Sequence, residues 1–121
     1  MLRIVIAGLQ KDRIERCVKE AGAEQVEVAI MTDMEAAKKV KNGQADYYIG
    51  ACNSGGGAAL SIAIGLLGFS RCATVAKSGG KPDPQKIEAL VHQGTVAFGI
   101  AEESIETAVP LIIGSLLKKH G

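Results

Sequence analysis

Short apolar runs, the first of them rich in β-branched residues, alternate with segments of helical periodicity five times along the 121-residue chain. The runs that we interpret as strands are residues 2–7, 26–31, 46–51, 71–76 and 95–99. Strands separated by helices form parallel βαβ units with right-handed crossovers. We therefore predict a single α/β domain over residues 1–121, in which a three-layer, doubly wound, five-stranded parallel sheet has the flavodoxin-like order 2-1-3-4-5.

Capping residues and prolines mark the expected helix boundaries. Thr32 and Glu35 have the spacing of a capping box, and Asp83, which a proline follows, is the expected N-cap of the fourth helix. Gly22 predicts a left-handed stop for the first helix. Pro110 lacks a backbone donor, so we expect a kink or a short break in the last helix.

A glycine-rich loop follows the third predicted strand. In the predicted order the winding reverses between strands one and three, and ligands bind beside the carboxyl ends of strands at such a point. Bare backbone N–H groups and the start of a helix there favour a phosphate or a carboxylate. The predicted ligand-binding residues of this loop are Asn53, Ser54, Gly55, Gly56 and Gly57. The alternative is that the glycines only permit a tight turn.

Three further residues are candidates for the same site. Cys52 stands between the third strand and the helix start that stabilises a thiolate, which makes it a candidate nucleophile or base; the alternative is a small buried hydrophobe. Lys77 follows the fourth strand and is a candidate counter-charge, with a solvated turn as the alternative. Gln10, after the first strand, is a further candidate ligand-binding residue.

The usual partners of a catalytic nucleophile are missing from the predicted site. His92 and His120 both lie away from the expected crevice, and no pair of carboxylates is expected beside the glycine-rich loop. A self-contained Ser-His-Asp or Cys-His arrangement is therefore not predicted.

Composition and motifs exclude several function classes. Fourteen basic and thirteen acidic residues leave a net charge of +1, and aromatic residues are 3%, so nucleic acid is not an expected partner. Three widely spaced cysteines predict no metal site and reduced thiols. The glycine-rich loop is neither a Walker A motif nor GxGxxG, so no nucleotide cofactor is expected. The absence of a signal-peptide pattern predicts a cytoplasmic protein.

The segment after the glycine-rich loop, residues 58–69, carries no charged residue on any side. Twelve residues are too few for a membrane-spanning helix, which needs about 20, so we expect no membrane insertion. A helix that is apolar all round must be covered on both sides. We therefore predict a homo-oligomer with this helix, over about Ala58–Leu67, at the interface; the alternative is cover by the C-terminal helix alone.

Two long strings, DMEAAKKVKNGQADYYIGACNSGGGAALSIAIG and VAFGIAEESIETAVPLII, closely resemble the YhfU family of small bacterial proteins. The resemblance extends along nearly the whole chain. It implies genes near a predicted transporter and near enzymes of amino-acid and phosphosugar type, and hence a role in metabolism or transport.

The glycine-rich turn also resembles that of type-B ribose-5-phosphate isomerases and their galactose-6-phosphate relatives. Cys52 begins the corresponding turn, Gly55 and Gly57 match its glycines, and 61–63 (Ser-Ile-Ala) match the helix that follows. The resemblance implies that the cysteine acts as a base and that the turn belongs to the substrate site. The interval from Cys52 to Ser61 is two residues longer here than in that family, and the first strand lacks its acidic-His turn.

These observations lead to two hypotheses. The first is a cytoplasmic, oligomeric protein that binds a small anionic metabolite at Cys52–Gly57 and, if it is an enzyme, isomerises a sugar phosphate through proton transfer by Cys52. The alternative is a non-enzymatic accessory or regulatory component of a transport or metabolic assembly, in which the apolar helix docks a protein partner.

Overall fold

The computed structural model describes residues 1–54 and 60–121 and contains five strands and five α-helices within them. The strands are β1 (Leu2–Gly8), β2 (Val26–Ile30), β3 (Tyr47–Cys52), β4 (Cys72–Ala76) and β5 (Ala97–Ala101). The helices are α1 (Lys11–Gly22), α2 (Asp33–Lys41), α3 (Ser61–Leu67), α4 (Pro84–Gln93) and α5 (Ile105–His120).

All five strands are parallel, which confirms the predicted α/β fold class, but the order is β2-β1-β3-β5-β4. The prediction 2-1-3-4-5 was wrong in its last two strands. All of β5 is buried, whereas only Ala76 of β4 is. A central strand is covered on both faces and paired at both edges, so the continuously apolar β5 lies inside and the half-buried β4 forms the edge.

The helices cover both faces of the sheet. One face packs against α1, α4 and α5, with large aliphatic side chains such as Ile6, Ile14 and Ile112 fully buried. The other face packs against α2 and α3 around smaller residues, including Ala36, Ala63 and Ala97. Two separate apolar cores therefore enclose the sheet and fix the direction in which each strand presents its carboxyl end.

Two of the predicted helix boundaries, the starts of α2 and α4, are confirmed, and the predicted left-handed stop at Gly22 was wrong. The capping box of α2 and the Asp83 cap of α4 are both present. Gly22 is right-handed, with φ −99°, and the positive φ of 47° belongs to Ala23. Glycine is needed at position 22 for space, because a Cβ there would lie 2.5 Å from Cγ1 of Val26. α5 continues through Pro110 without a break, and a kink at this proline stays a prediction.

The C-terminal helix does not cover α3, because α5 packs on the opposite face of the sheet. Ile62, Ile64 and Leu66 are only half-buried, and Phe69 just beyond the helix is 80% exposed. The predicted homo-oligomer with this segment at its interface stays a prediction. In the described parts of the chain, none of the helices has the length and apolar character that a bilayer crossing demands.

An ion pair at the amino-terminal edge of the sheet makes the unfolding free energy of the protein depend on pH. The backbone N–H of Arg3 donates to Asp46 Oδ2 at 2.8 Å, and Nη2 of Arg3 donates to Asp46 Oδ1 at 3.1 Å. The side-chain bond to Arg3 lowers the pKa of Asp46, against an opposing effect of burial. A lowered native pKa means that this stabilisation is present above the unfolded pKa of about 3.9 and is lost as the pH falls through the native value.

The unfolding free energy of the wild-type protein is expected to fall as the pH drops below about 4, and in Asp46→Asn it is expected to fall less steeply. Urea unfolding at a series of pH values measures that slope for both proteins. Arg3→Gln is expected to flatten it similarly, and the double variant to add little to either single change. Parallel slopes for wild type and Asp46→Asn would contradict this origin of the acid sensitivity.

Candidate functional site

The loop after β1 contacts the end of β3 at the carboxyl edge of the sheet. Leu9 N–H donates to the Ala51 carbonyl at 2.9 Å. Gly8 has φ +87°, and a Cβ there would lie 2.4 Å from the same carbonyl oxygen. Only glycine allows this close approach of two backbones. The winding reverses between these two strands, so the crevice expected from the sequence lies at this contact.

Gln10 lies beside this contact in a strained conformation. Its φ of 55° and ψ of 40° are left-handed, which is uncommon for a residue other than glycine. Its carbonyl accepts hydrogen bonds from Arg13 and Ile14 N–H, each at 3.1 Å, and so begins α1. The backbone therefore fixes Gln10 at the edge of the sheet while its side chain is exposed.

Cys52 is the last residue of β3 and is half-buried. It is in register with Ala101 of β5, so it lies between the ends of β1 and β5. Asn53 and Ser54 follow it and are exposed. The remaining predicted ligand-binding residues of the loop, Gly55, Gly56 and Gly57, lie outside the described residues.

The other two thiols are placed differently. Cys17 is buried in the core between α1 and α5, and Cys72 is half-buried at the start of β4. Burial raises the pKa of both thiols, which favours the neutral form. Cys52 alone of the three stands at the carboxyl end of a strand, and the three described cysteines form no disulfide.

Hydrogen bonds join three loops at this edge into one network. Ser78 lies in the loop after β4, and Ser54 lies in the loop after β3. The Ser78 N–H donates to the Ser54 carbonyl at 2.8 Å. Ser78 Oγ donates to Glu103 Oε1 at 2.6 Å, and Gly79 N–H donates to the same oxygen at 3.3 Å. Lys77 directly precedes this network and is exposed. The structure thus brings the predicted residue Lys77 to the same edge as Cys52 and Ser54.

Glu102 and Glu103 are site residues that the sequence reasoning missed. They directly follow Ala101, the register partner of Cys52. No pair of carboxylates was expected beside the glycine-rich loop, because β5 was expected at the far edge of the sheet rather than beside β3. The glycines of that loop lie outside the described residues, so this expectation stays untested for the loop itself. β4 and β5 are both short, mostly apolar runs, so no sequence signal placed β5 beside β3.

Arg13 is a third missed residue, and no sequence signal marked it. Its Nε donates to Glu106 Oε2 at 2.9 Å, and its Nη2 donates to the Glu102 carbonyl at 3.1 Å. The guanidinium thereby joins the first turn of α1 to the segment that follows β5. It holds Glu102 at the carboxyl edge through the backbone rather than through the side chain.

Both histidines lie elsewhere, as expected. Nε2 of His120 is 2.6 Å from the hydroxyl of Tyr47, the first residue of β3, at the amino-terminal edge. His92 is in the last turn of α4, with Nε2 3.9 Å from Glu88. Among the residues that the structure describes, no group of histidine, cysteine and acidic side chains is arranged to hold a metal ion.

The arrangement of strands and helices is that of a known enzyme fold. The chain is similar to the type B ribose 5-phosphate isomerase of Trypanosoma cruzi, with a TM-score of 0.74 and 19% identity, over 98% of this chain and 84% of that one. The Trypanosoma brucei enzyme gives a TM-score of 0.69 and 24% identity, over 98% and 87% of the two chains. At these identities the likeness shows the fold alone.

The family is shown by sequence. Residues 2–116 match the family described as "Protein of unknown function DUF2620", and the chain belongs to it. It is 47% identical over 116 residues to the uncharacterized protein YhfU of Escherichia coli strain K12, across 96% of this chain and 99% of that protein. YhfU of Shigella flexneri gives the same identity and coverage.

Proposed function

We propose that this protein binds a small phosphosugar at the carboxyl edge of its sheet and isomerises it with Cys52 as the base. The observation that carries the proposal is the position of Cys52, half-buried at the end of a central strand and beside the point where the winding reverses. The likeness in fold to type B ribose 5-phosphate isomerases supports the choice of substrate class.

In this proposal the loop after Cys52 holds the anionic group of the substrate. Asn53, Ser54 and the glycines at 55–57 supply the donors, Lys77 supplies counter-charge, and Gln10 lines the side toward β1. The bond from Ser78 N–H to the Ser54 carbonyl supports this, because it holds the two loops together before a ligand arrives. Such preorganisation lowers the entropic cost of binding.

The proposed reaction is a proton transfer between two neighbouring carbons of the open-chain sugar. The Cys52 thiolate takes the proton from the carbon beside the carbonyl, which leaves an enediolate, and the resulting thiol returns it to the former carbonyl carbon. A second proton moves between the two oxygens, so the aldose becomes a ketose with no change in composition. In this proposal the carboxyl group of Glu102, which follows the register partner of Cys52, carries that second proton.

Cys52→Ala is expected to reduce kcat/KM at least about 100-fold, the usual contribution of a general base. The assay measures conversion of five- and six-carbon aldose phosphates to ketoses by the purified protein. Cys72→Ala is the matched control, since it removes a half-buried thiol from the opposite end of a strand and is expected to leave kcat unchanged. Full turnover by the Cys52→Ala protein would remove the proposed base.

Binding is measured separately, by the rise in unfolding temperature with each sugar phosphate and with organic acids. No turnover and no thermal shift with any of them would overturn both the reaction and the site. The exposed apolar surface around α3 and Phe69 favours the second candidate in that case, a non-enzymatic component that docks a protein partner.

A further inference from the structure

A groove runs along the outer edge of β4. In the described structure this strand pairs only with β5, so its other edge faces solvent. A cavity of about 600 Å³ touches five consecutive residues, 73–77, with Ile87 and Leu90 of α4 opposite them. Successive residues of a strand face opposite sides of a sheet. A cavity that contacts every one of them therefore follows the edge of the strand, and we call it the β4 groove.

The backbone along this groove is open to another strand. An edge strand leaves alternate N–H and C=O groups without a ladder partner, and proteins usually protect such edges with charges or prolines. β4, with the sequence CATVA, contains neither, and its one irregularity is a shift of register against β5 between Thr74 and Ala76. The other edge strand, β2, carries the exposed Glu27, and the cavity beside it is only about 140 Å³. The edge at β4 is thus the one able to accept an extended peptide.

Cations surround the β4 groove. Lys77, Lys81 and Lys86 line it, and in the described residues the ammonium group of each lacks both an ion pair and a hydrogen bond. The one carboxylate in the lining, Asp83, accepts backbone N–H bonds from Gln85 at 2.9 Å and Lys86 at 3.4 Å as the cap of α4. The lining therefore carries a surplus of positive charge, next to an apolar wall.

We propose that the β4 groove binds an extended acidic segment of a partner protein, which adds to β4 as a further strand. Main-chain hydrogen bonds to the strand edge supply affinity in this mode of recognition, and alternate side chains supply specificity. Carboxylates of the segment meet the three lysines, and its apolar side chains meet Ile87 and Leu90. A segment of five residues spans the strand, over about 17 Å.

Charge separates this occupant from a second copy of the chain. β4 is preceded by the exposed Arg71 and followed by the exposed Lys77. Pairing of two β4 strands in antiparallel register places Arg71 of each copy near Lys77 of the other, and like charges facing each other across strands destabilise the pair. An acidic segment meets the same residues with the opposite sign.

The probe is a fluorescein-labelled, acetylated and amidated peptide of alternating valine and glutamate residues, whose binding is followed by fluorescence anisotropy. We expect saturable binding that weakens with added salt. The double change Lys81→Glu and Lys86→Glu is expected to weaken binding at least about tenfold. The matched control, Lys38→Glu with Lys41→Glu on α2, reverses two exposed lysines in the opposite helical layer and is expected to change little.

Two further peptides separate strand addition from attraction of charge alone. Each has the same charge as the first but carries N-methyl groups on alternate amides, one peptide along one edge and the other along the opposite edge. Both are used with the wild-type protein, so the result does not depend on the folding of a variant. We expect at least one of them to lose binding. Equal binding of all three peptides, or equal binding of a peptide with lysine in place of glutamate, would overturn the proposal.

Light scattering of the protein alone tests the other occupant. The groove would be assigned to a second copy instead if the protein formed a dimer that excluded the acidic peptide and became more stable with the double change Lys81→Glu and Lys86→Glu. The lysines changed in these experiments are not among the proposed substrate-binding residues. Failure of peptide binding therefore leaves the isomerase assay unaffected, and the two proposals fail separately.

Discussion

Gly8→Ala is expected to destabilise the protein by about 3 kcal/mol. The added Cβ would lie 2.4 Å from the carbonyl oxygen and 2.9 Å from the nitrogen of Ala51, both backbone atoms of β3 that cannot rotate away. The φ of +87° adds the strain of a left-handed conformation, about 1–2 kcal/mol for a residue with a Cβ. Relief requires β1 and β3 to separate at the crevice, so the predicted loss includes broken sheet contacts.

Gly43→Ala is the matched control for this change. Gly43 also has a positive φ, +75°, but nothing lies within 4 Å of a Cβ built there. Its cost is expected to be the conformational strain alone, about 1 kcal/mol. Urea unfolding of the three proteins measures both values. Equal losses for the two variants would show that the contact with Ala51 relaxes without cost and that the crevice is less tightly closed than the structure indicates.

Phe98→Ala is expected to cost about 3–5 kcal/mol of unfolding free energy. Phe98 is fully buried in central strand β5, with its ring 6.3 Å from that of Tyr47 in the neighbouring strand. The loss combines the transfer of the ring's apolar surface with the cavity that it leaves between the sheet and the helices on that face. This would be a large part of the total stability of an ordinary domain.

The chain contains one other phenylalanine, which provides the control. Phe69 is 80% exposed, so Phe69→Ala is expected to change the unfolding free energy by no more than about 0.5 kcal/mol. If Phe98→Ala does not fold, Phe98→Leu preserves most of the apolar volume and is expected to cost about 1.5 kcal/mol or less. Comparable losses for Phe69→Ala and a folded Phe98→Ala, measured by urea unfolding, would contradict the assigned burial.

Much of the candidate site follows from sequence because its residues are adjacent in the chain. Cys52, Asn53 and Ser54 must lie where the third strand ends, whatever the sheet does elsewhere. The capping box of Thr32 and Glu35 is likewise a contact between residues three apart. Local spacing is enough to predict such features, since the backbone geometry of one helix or turn determines them.

Residues brought together from distant parts of the chain could not be predicted in this way. The bond of Ser78 to Glu103 joins loops 25 residues apart, and that of Arg13 to Glu106 joins helices 93 residues apart. Gly22 was expected to end α1 in a left-handed conformation, but its role is to leave space for the side chain of Val26. Each of these contacts depends on where a second element lies, which periodicity and capping residues do not contain.

The amino-acid sequence by itself determined the parallel α/β class, the order of elements along the chain and the loop that carries Cys52, because hydrophobic period and capping act within one element. Only the tertiary structure decided that β5 lies beside β3 and that β4 is an open edge. Both strands are five-residue runs of mostly apolar residues. Which of them is central depends on burial by the helices of both layers and on pairing with β3, and those interactions exist only once the whole sheet has formed.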